Sequence, residues 1–506
     1  MTTPQPEEEG LDLRLVPAAL TAWAVTAAGI VWCTAGSVVT ALVAVMLAAV
    51  TAARFKTGSG TPIWAAVLAV AVVGTGFAIA VGLRTHQLRQ HPLTSRYGST
   101  VTVVVAASES PRVLNGGRMM FRGVLAELDG TAISGRVLVF TPATGYADLT
   151  AGRPARFRAA VARPARRDLS VATLAAVGRP VLGEASPVQQ VAQTVRVGFA
   201  DASRAALPVD EAAMLPALVL GDTSTVSGQR TAQFRAAGLT HLTAVSGANV
   251  TIVCGALLLA AGLVGPRIAV VLAALGLLAF VVVVEPSASV LRAAIMGGVT
   301  LLAVLTHRRR RAIPALAASV IVLMTAAPEL AVDAGFALSV CATAGIVVIA
   351  PVWTRRLESR GWPRPLAAAV SVAVVAQLVT APLVAGISGT FSVVAVAANL
   401  AVALVIPPIT VLGTAAAAMS AVWPAGAHLL IRFTGPELWW LLSVARWASA
   451  LPGAAVPTPS GLPGVLLVAV GGVALTVMWR RRWTRHGLTG LAVCLLAWTV
   501  AGALQT

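Results

Sequence analysis

Apolar runs about twenty residues long and free of charge recur along most of this 506-residue chain, with one long gap. A helix of that length crosses a hydrocarbon core about 30 Å thick. Inside such a core every backbone amide must find its partner within the protein, so long repeated runs become helices. The runs fall near 16–34, 36–53 and 63–82, and then near 241–263, 267–285, 289–306, 312–328, 333–354, 365–385, 391–407, 408–424, 464–479 and 487–503. Composition agrees: 57% of residues are hydrophobic and 11% charged, where a soluble protein carries roughly a quarter charged. The expected fold is a polytopic α-helical membrane protein of about eleven to thirteen spans.

Residues 84–210 break the pattern. Short alternating or β-branched runs appear at Thr100–Ala106, Arg118–Leu128, Gly135–Thr141 and Ala155–Ala162. Turn residues part them, such as Asn115-Gly116-Gly117, Asp129-Gly130 and Thr144-Gly145. Several short strands joined this way predict a small β-barrel or sandwich. The expected domains are N-terminal transmembrane helices over 1–83, a β domain over 84–186, a helical linker over 187–240 and a transmembrane domain over 241–506. Within the last, residues 426–451 mix His428, Arg432, Glu437 and Arg446 with Trp439, Trp440 and Trp447, which predicts an amphipathic helix lying in the membrane interface.

The net charge is +18, and Lys56 is the only lysine, so arginine carries nearly all of it. A basic protein at a membrane meets anionic lipid heads, nucleic acid or both. Short arginine-rich loops stay cytoplasmic. Arg54 with Lys56, Arg308–Arg311, Arg355 with Arg356, Arg360 and Arg364, and Arg480–Arg482 all fall on one side of the span pattern. The β domain and the C-terminus are then expected outside the cytoplasm, in a multi-pass protein of the inner, cytoplasmic membrane. No cleavable signal sequence is expected, because the first apolar run has no small-residue cleavage pattern and further spans follow. Cys33, Cys254, Cys341 and Cys494 lie inside apolar runs without a CxxC pair, and the six histidines are scattered, so neither disulfides nor a metal site is expected. With no Walker A motif either, the chain is expected to hold no cofactor and to be no enzyme.

Polar groups inside a span cost free energy unless they are paired or line a cavity. His241, Ser246 and Asn249 open the span near 241–263, and the last two, three apart, share a helical face. Arg292 lies about one turn inside the span near 289–306. A guanidinium there has three options: phosphate at a pore mouth, a pair with Glu285 or Asp333, or snorkelling to the interface. Asn399 lies mid-span, Gln377 is a weaker example, and Asp333 stands where a helix N-cap would. The β domain carries Arg112, Arg118, Arg122, Arg136, Arg153, Arg156, Arg158, Arg163, Arg166 and Arg167. A basic groove on such a barrel tracks a phosphate backbone. Arg153, Arg156, Arg158, Arg163, Arg166 and Arg167 are the leading contact candidates; the alternative is a solvated face against anionic lipid. Stacking rings are few, mainly Phe121, Phe140, Tyr146 and Phe157.

Four segments, in this order, resemble those of the ComEC/Rec2 competence proteins. Gly221-Asp222, Phe234, Ala237-Gly238-Leu239, His241-Leu242 and Ser246-Gly247 carry the first. Pro286, Ser287 or Ser289, Arg292 and Ala293 carry the second. Asp333-Ala334-Gly335-Phe336-Ala337-Leu338-Ser339 is the third, and Phe391–Pro408 with Ser392 and Asn399 the fourth. Asn249 stands where that family usually has histidine, and Ala337 where it has glutamine. The resemblance covers roughly residues 60–450. It implies an inner-membrane channel for uptake of single-stranded DNA in natural transformation, with the β domain in the place of the family's OB-like domain. It implies a path lined by His241, Ser246, Asn249, Arg292 and Asn399. The implied partners are single-stranded DNA, membrane lipids, a DNA receptor, a cytoplasmic helicase-like ATPase and a separate nuclease. Many members end in a metallo-β-lactamase-like domain; its HxHxDH signature is absent from this sequence. Two other readings stay open. One is a secondary transporter or permease for a small anion, which uses similar midplane polar residues. The other is a membrane-anchored OB-domain assembly module.

Overall fold

The computed structural model describes residues 12–54, 63–114, 117–146, 148–245, 247–261, 265–284, 287–305 and 312–478. The expected span near 487–503 lies outside them, as do Lys56, Ser246, Glu285, Pro286 and the arginines at 308–311 and 480–482. The chain runs α1 (Val16–Arg54), α2 (Ile63–Arg89), β1 (Thr100–Ala107), β2 (Arg112–Leu114), β3 (Arg118–Leu128), β4 (Thr131–Pro142), β5 (Pro154–Ala162), β6 (Ala172–Leu182) and α3 (Pro187–Ala206). It continues through α4 (Val209–Leu220), α5 (Gly228–Ala236), α6 (Gly247–Ala261), α7 (Pro266–Val284), α8 (Ala288–Leu305), α9 (Ala312–Ala326), α10 (Ala334–Val348), α11 (Ala350–Glu358) and α12 (Arg364–Ser388). β7 (Thr390–Ser392), α13 (Ala395–Val402), α14 (Ile406–Met419), α15 (Pro424–Phe433), α16 (Gly435–Ala450), β8 (Ala455–Pro457) and α17 (Leu462–Met478) follow. Two compact units form: Met1–Gly198 with Gly247–Phe336, and Phe199–Ser246 with Ala337–Thr506.

In the first unit, Val101, Val103 and Val105 of β1 are buried while Thr102 and Val104 between them are half-exposed, the period of two that turns one strand face into a core. β1 pairs antiparallel with β3 and β5, β5 with β6 and β3 with β4, while β4 and β6 run parallel. The ladder closes as a five-stranded barrel, with β2 a short addition to β3. This is the OB topology, filled by Phe121, Leu125, Val139, Phe157 and Leu174. The four expected strands are present. β6 escapes the sequence pattern because alanines of low strand propensity run through it and Gly178 and Pro180 interrupt its second half.

The turn between β4 and β5 sends Tyr146 into the end of the barrel, edge to face with Phe157 at 5.8 Å between centroids. The Tyr146 hydroxyl is buried with no hydrogen-bond partner among the described residues, and burial pushes the phenol up to about 12. A raised phenol pKa contributes stability that is fully present below about 10, the ordinary value. That contribution is lost as pH rises through about 12. Tyr146→Phe loses no bond and removes a desolvation cost of about 1–3 kcal/mol. The variant is expected to be at least as stable at neutral pH and less sensitive to alkali. Limited proteolysis of the barrel at neutral and strongly alkaline pH checks this; a less stable variant at neutral pH contradicts it.

α1 is one continuous helix by hydrogen bonding, yet it reverses. A Cβ on Gly29 would lie 3.1 Å from Ser37 Cβ, and one on Gly36 would lie 2.7 Å from Ala28 O. Eight residues of straight helix span about 12 Å, so the runs at 16–34 and 36–53 are two arms folded against each other. Arginines gather at the barrel end of these helices. Arg167, between β5 and β6, donates to Val31 O beside the reversal at 2.5 Å. Arg84 donates to Thr325 O in the last turn of α9 at 3.1 Å. Arg196 of α3 donates to Val283 O and Val282 O in the last turn of α7, at 2.6 and 3.3 Å. Carbonyls at a helix C-terminus lack intrahelical partners and carry the negative end of the dipole, which cations satisfy. Arg136 of β4 pairs with Glu329 in the 3₁₀ turn Pro328–Val332. Part of the arginine excess is therefore structural.

The second unit holds a correction. α4 contains Pro216 and is buried almost all round, with Met214, Leu215, Ala217 and Val219 at most 1% exposed. A helix apolar on every side belongs in a core. It packs on α16 and on α14, where a Cβ on Gly413 would sit 2.4 Å from Val219 Cγ2. Residues 209–220 are thus part of the unit's interior rather than a linker towards the membrane, while α5 keeps only Phe234 buried. Within 426–451, α15 and α16 form, and on α16 Leu438, Leu441, Leu442 and Ala445 face inward while Trp439 and Trp447 stay exposed, a two-faced pattern. α13 and α14 meet at a 56° bend. Pro407 and Pro408 fall in the first turn of α14, where a missing amide is tolerated.

Among the described residues, Val67–Arg96, Arg267–Val284, Ala334–Glu358 and Arg364–Ser388 are long and apolar enough to cross a membrane, and α13 with α14 makes a fifth if the bent pair is one span. Val16–Trp32, Ala35–Leu47, Asn249–Ala260, Ala288–Ala303, Ala312–Ala326 and Leu462–Ala474 are shorter apolar helices. The chain is a polytopic helical membrane protein with a small inserted barrel. Among the described residues, fewer helices reach full spanning length than the apolar runs imply.

Candidate functional site

The first sequence motif is mostly a folding device. Gly221 ends α4 in the left-handed region at φ 78°, its amide bonded to Ala217 O and Pro216 O. Asp222 Oδ1 accepts from Ser224 N at 3.0 Å. Phe234, Ala237 and Leu239 are buried. Gly238 has φ 72°, and a Cβ there would lie 2.4 Å from Ala395 Cβ at the start of α13. Ser392 Oγ donates to Ala236 O at 2.7 Å, and Gln377 Nε2 donates to Ser392 O at 3.4 Å. The motif therefore seats its turn on the fourth segment. Gly238→Ala meets both a strained φ and a blocked approach, and is expected to cost about 2–5 kcal/mol. Thermal melts of the solubilised protein check this, and an unchanged midpoint contradicts it.

The residues expected along a path divide between the units. Asn249 and Arg292, 6% and 5% exposed, belong to the first unit. A Cβ on Gly247, the first residue of α6, would lie 2.9 Å from Arg292 Nη2, so the missing side chain is what lets the guanidinium reach the N-terminal turn of α6. Arg292 Nη1 also contacts Met296 Sδ at 3.2 Å. Arg292 is thus buried and does not snorkel. Asp333 Oδ1 accepts from Phe336 N at 2.8 Å and caps α10, with Gly335 close beside it and Phe336 buried. His241 and Asn399 belong to the second unit. His241 sits in the 3₁₀ turn Thr240–Leu242, and Asn399 Nδ2 donates to Ala395 O at 2.8 Å.

On the barrel, three of the six arginines singled out from sequence have internal work. Arg153 donates to Gly183 O and Asp148 O, Arg163 lies over the Tyr97 ring, and Arg167 holds Val31 O. Arg156, Arg158 and Arg166 are exposed. The register reveals a different basic face. Its outward rungs are Arg118/Pro142, Met120/Phe140, Arg122/Leu138 and Val124/Arg136, with Arg112 beside Met120 on β2. β3 and β4 are the second and third strands of the OB barrel, the face on which such barrels hold oligonucleotides. Arg118 lies over Phe140 at 5.6 Å, whereas Phe121, Tyr146 and Phe157 are inside the core. The alternation Arg118-x-Met120-x-Arg122 was the available signal, but its partner strand cannot be known before the barrel closes.

A family model described as "Competence protein" matches residues 218–483. ComE operon protein 3 of Bacillus subtilis (strain 168) is 29% identical over 197 residues, which is 38% of this chain and 24% of that protein. The match thus spans about a quarter of the curated relative's length. No solved structure matches. Because the family match takes in more than half of the chain, and with it the motif seated on α13 and the helix carrying Arg292, the chain belongs to the competence protein family.

Proposed function

We propose that this protein is an inner-membrane channel for uptake of single-stranded DNA in natural transformation. The observation that carries the reading is a buried guanidinium, Arg292, against the first turn of α6 in a membrane-type helical unit that also bears an OB barrel with a basic outer face. A helix N-terminus and an arginine both favour an anion, and their attraction for phosphate grows in low dielectric. The strand meets Arg112, Arg118 and Arg122 on the barrel and then passes Asn249 and Arg292, all of one unit. The barrel face offers few stacking rings, so its grip is on the backbone, strongly dependent on salt and weakly on sequence.

Orientation rests on charge. By sequence, the short connections after α1 and α8 hold Arg54, Lys56 and Arg308–Arg311, on the other side of the span pattern from the barrel. Basic short loops are retained in the cytoplasm, which puts the barrel outside. In this reading the chain itself catalyses nothing. A receptor, a helicase-like ATPase and a nuclease act as separate partners. The bend between α13 and α14 favours one other reading, a small-anion permease with a broken helix at its binding site. Vesicles containing the purified protein separate the two: external labelled DNA and external phosphate are offered together, with a single-strand-binding protein inside. Nuclease-protected DNA without phosphate flux is expected; phosphate flux without protected DNA overturns the channel reading.

A further inference from the structure

The basic face of the barrel ends in an internal acid. Arg118 and Arg122 on β3 and Arg136 on β4 form an outward stripe that descends through the rungs Arg118/Pro142, Arg122/Leu138 and Val124/Arg136. At its foot Arg136 pairs with Glu329, in the turn between α9 and α10. The two partners differ in exposure: the Arg136 side chain is 43% exposed and that of Glu329 15%. The acid is therefore held in place by the helices beneath it, while the cation still faces outward. A carboxylate and a phosphodiester compete for the same guanidinium donors.

We propose that Glu329 is a built-in counter-ion that occupies Arg136 until a phosphodiester displaces it, so that the last station of the basic stripe binds only a strand already held by Arg118 and Arg122. This rests on the reading of that face as a nucleic-acid surface. A lone phosphate gains little at Arg136, because it must replace an anion already there. A polymer gains, because its other phosphates fix the local concentration of the one that reaches Arg136. Displacement also frees one of the contacts that join the barrel to the helices, so an arriving strand loosens the barrel's footing where it meets the membrane unit.

The test uses the full-length protein in detergent, a fluorescent oligothymidylate of about thirty nucleotides, and anisotropy titrations over a range of salt. Glu329→Gln is expected to tighten binding about fivefold, the scale of one partly exposed ion pair, and to steepen the salt dependence by about 0.7, one phosphate contact on a single strand. In an Arg136→Gln background the same change at Glu329 is expected to do nothing. Unchanged or weaker binding by Glu329→Gln overturns the proposal. If Glu329→Gln fails to fold, Arg136→Gln alone decides. The counter-ion account predicts a smaller loss than that of Arg122→Gln, since Arg136 is already neutralised; an equal or larger loss overturns it. The underlying reading fails differently: the wild type does not bind the oligonucleotide, or Arg118→Gln and Arg122→Gln leave its binding unchanged.

Discussion

Replacing Arg112, Arg118 and Arg122 together with glutamine is expected to weaken single-stranded DNA binding roughly hundredfold, at about 1 kcal/mol for each exposed charge-assisted contact. The salt dependence should flatten by about 2, since each lost phosphate contact removes about 0.7 from the slope on single strands. Arg112 contributes least, because Glu109 already pairs with it at 3.3 Å. These positions are exposed, so their replacement leaves the barrel core intact. The matched control removes the same charge from Arg156, Arg158 and Arg166. Two of these stand on β5, away from the β3–β4 face, and the loss there should stay below about fivefold, the share of long-range attraction alone. Equal losses from the two triples would mean that total charge, not this face, holds the strand.

Arg292→Met is expected to stop strand passage while leaving binding at the barrel unchanged. Methionine is apolar and unbranched like the arginine stem, so it suits a site that is 5% exposed. A guanidinium about 4 Å from a phosphate at an effective dielectric near 20 is worth on the order of 4 kcal/mol. Its loss slows passage about a thousandfold. Arg292→Lys restores part of the rate, since charge remains but the bidentate fork does not. Gly247→Ala supplies a separate check. Its methyl would stand 2.9 Å from Nη2, so it pushes the guanidinium aside without removing charge, and an intermediate rate is expected. If Arg292→Met binds and passes DNA as the wild type does, Arg292 is a packing residue.

The membrane character of the chain was legible from run length alone, because lipid leaves a backbone few options. The barrel was legible where its strands alternate, as in Val101–Val105, and illegible in β6, where alanine, Gly178 and Pro180 erase the pattern. The reversal in α1 was legible as two apolar runs at 16–34 and 36–53, but its means was not: it needs no loop residues, only the close approach that Gly29 and Gly36 permit. α4 was misread because its apolar stretch is short, contains Pro216 and follows a polar helix, all of which suit a linker. Only packing against α14 and α16 identifies it as core. Site residues were legible by type but not by role. Arg292 in an apolar run signals a cost that must be met, yet the glycine that admits it lies 45 positions away in another helix. The barrel arginines look alike in sequence. Closure of the barrel assigns Arg167 to a helix end and Arg122 to the outer face.

The crossing of a single strand past Arg292 is the step on which the proposed channel depends. Its most direct test is nuclease protection of labelled single-stranded DNA in proteoliposomes, with a trapping protein inside, for the wild type and for Arg292→Met at equal amounts of folded protein. Protected DNA is expected for the wild type, none above background for Arg292→Met, and equal binding of DNA to the outside of both. Equal protection by the two proteins would contradict it.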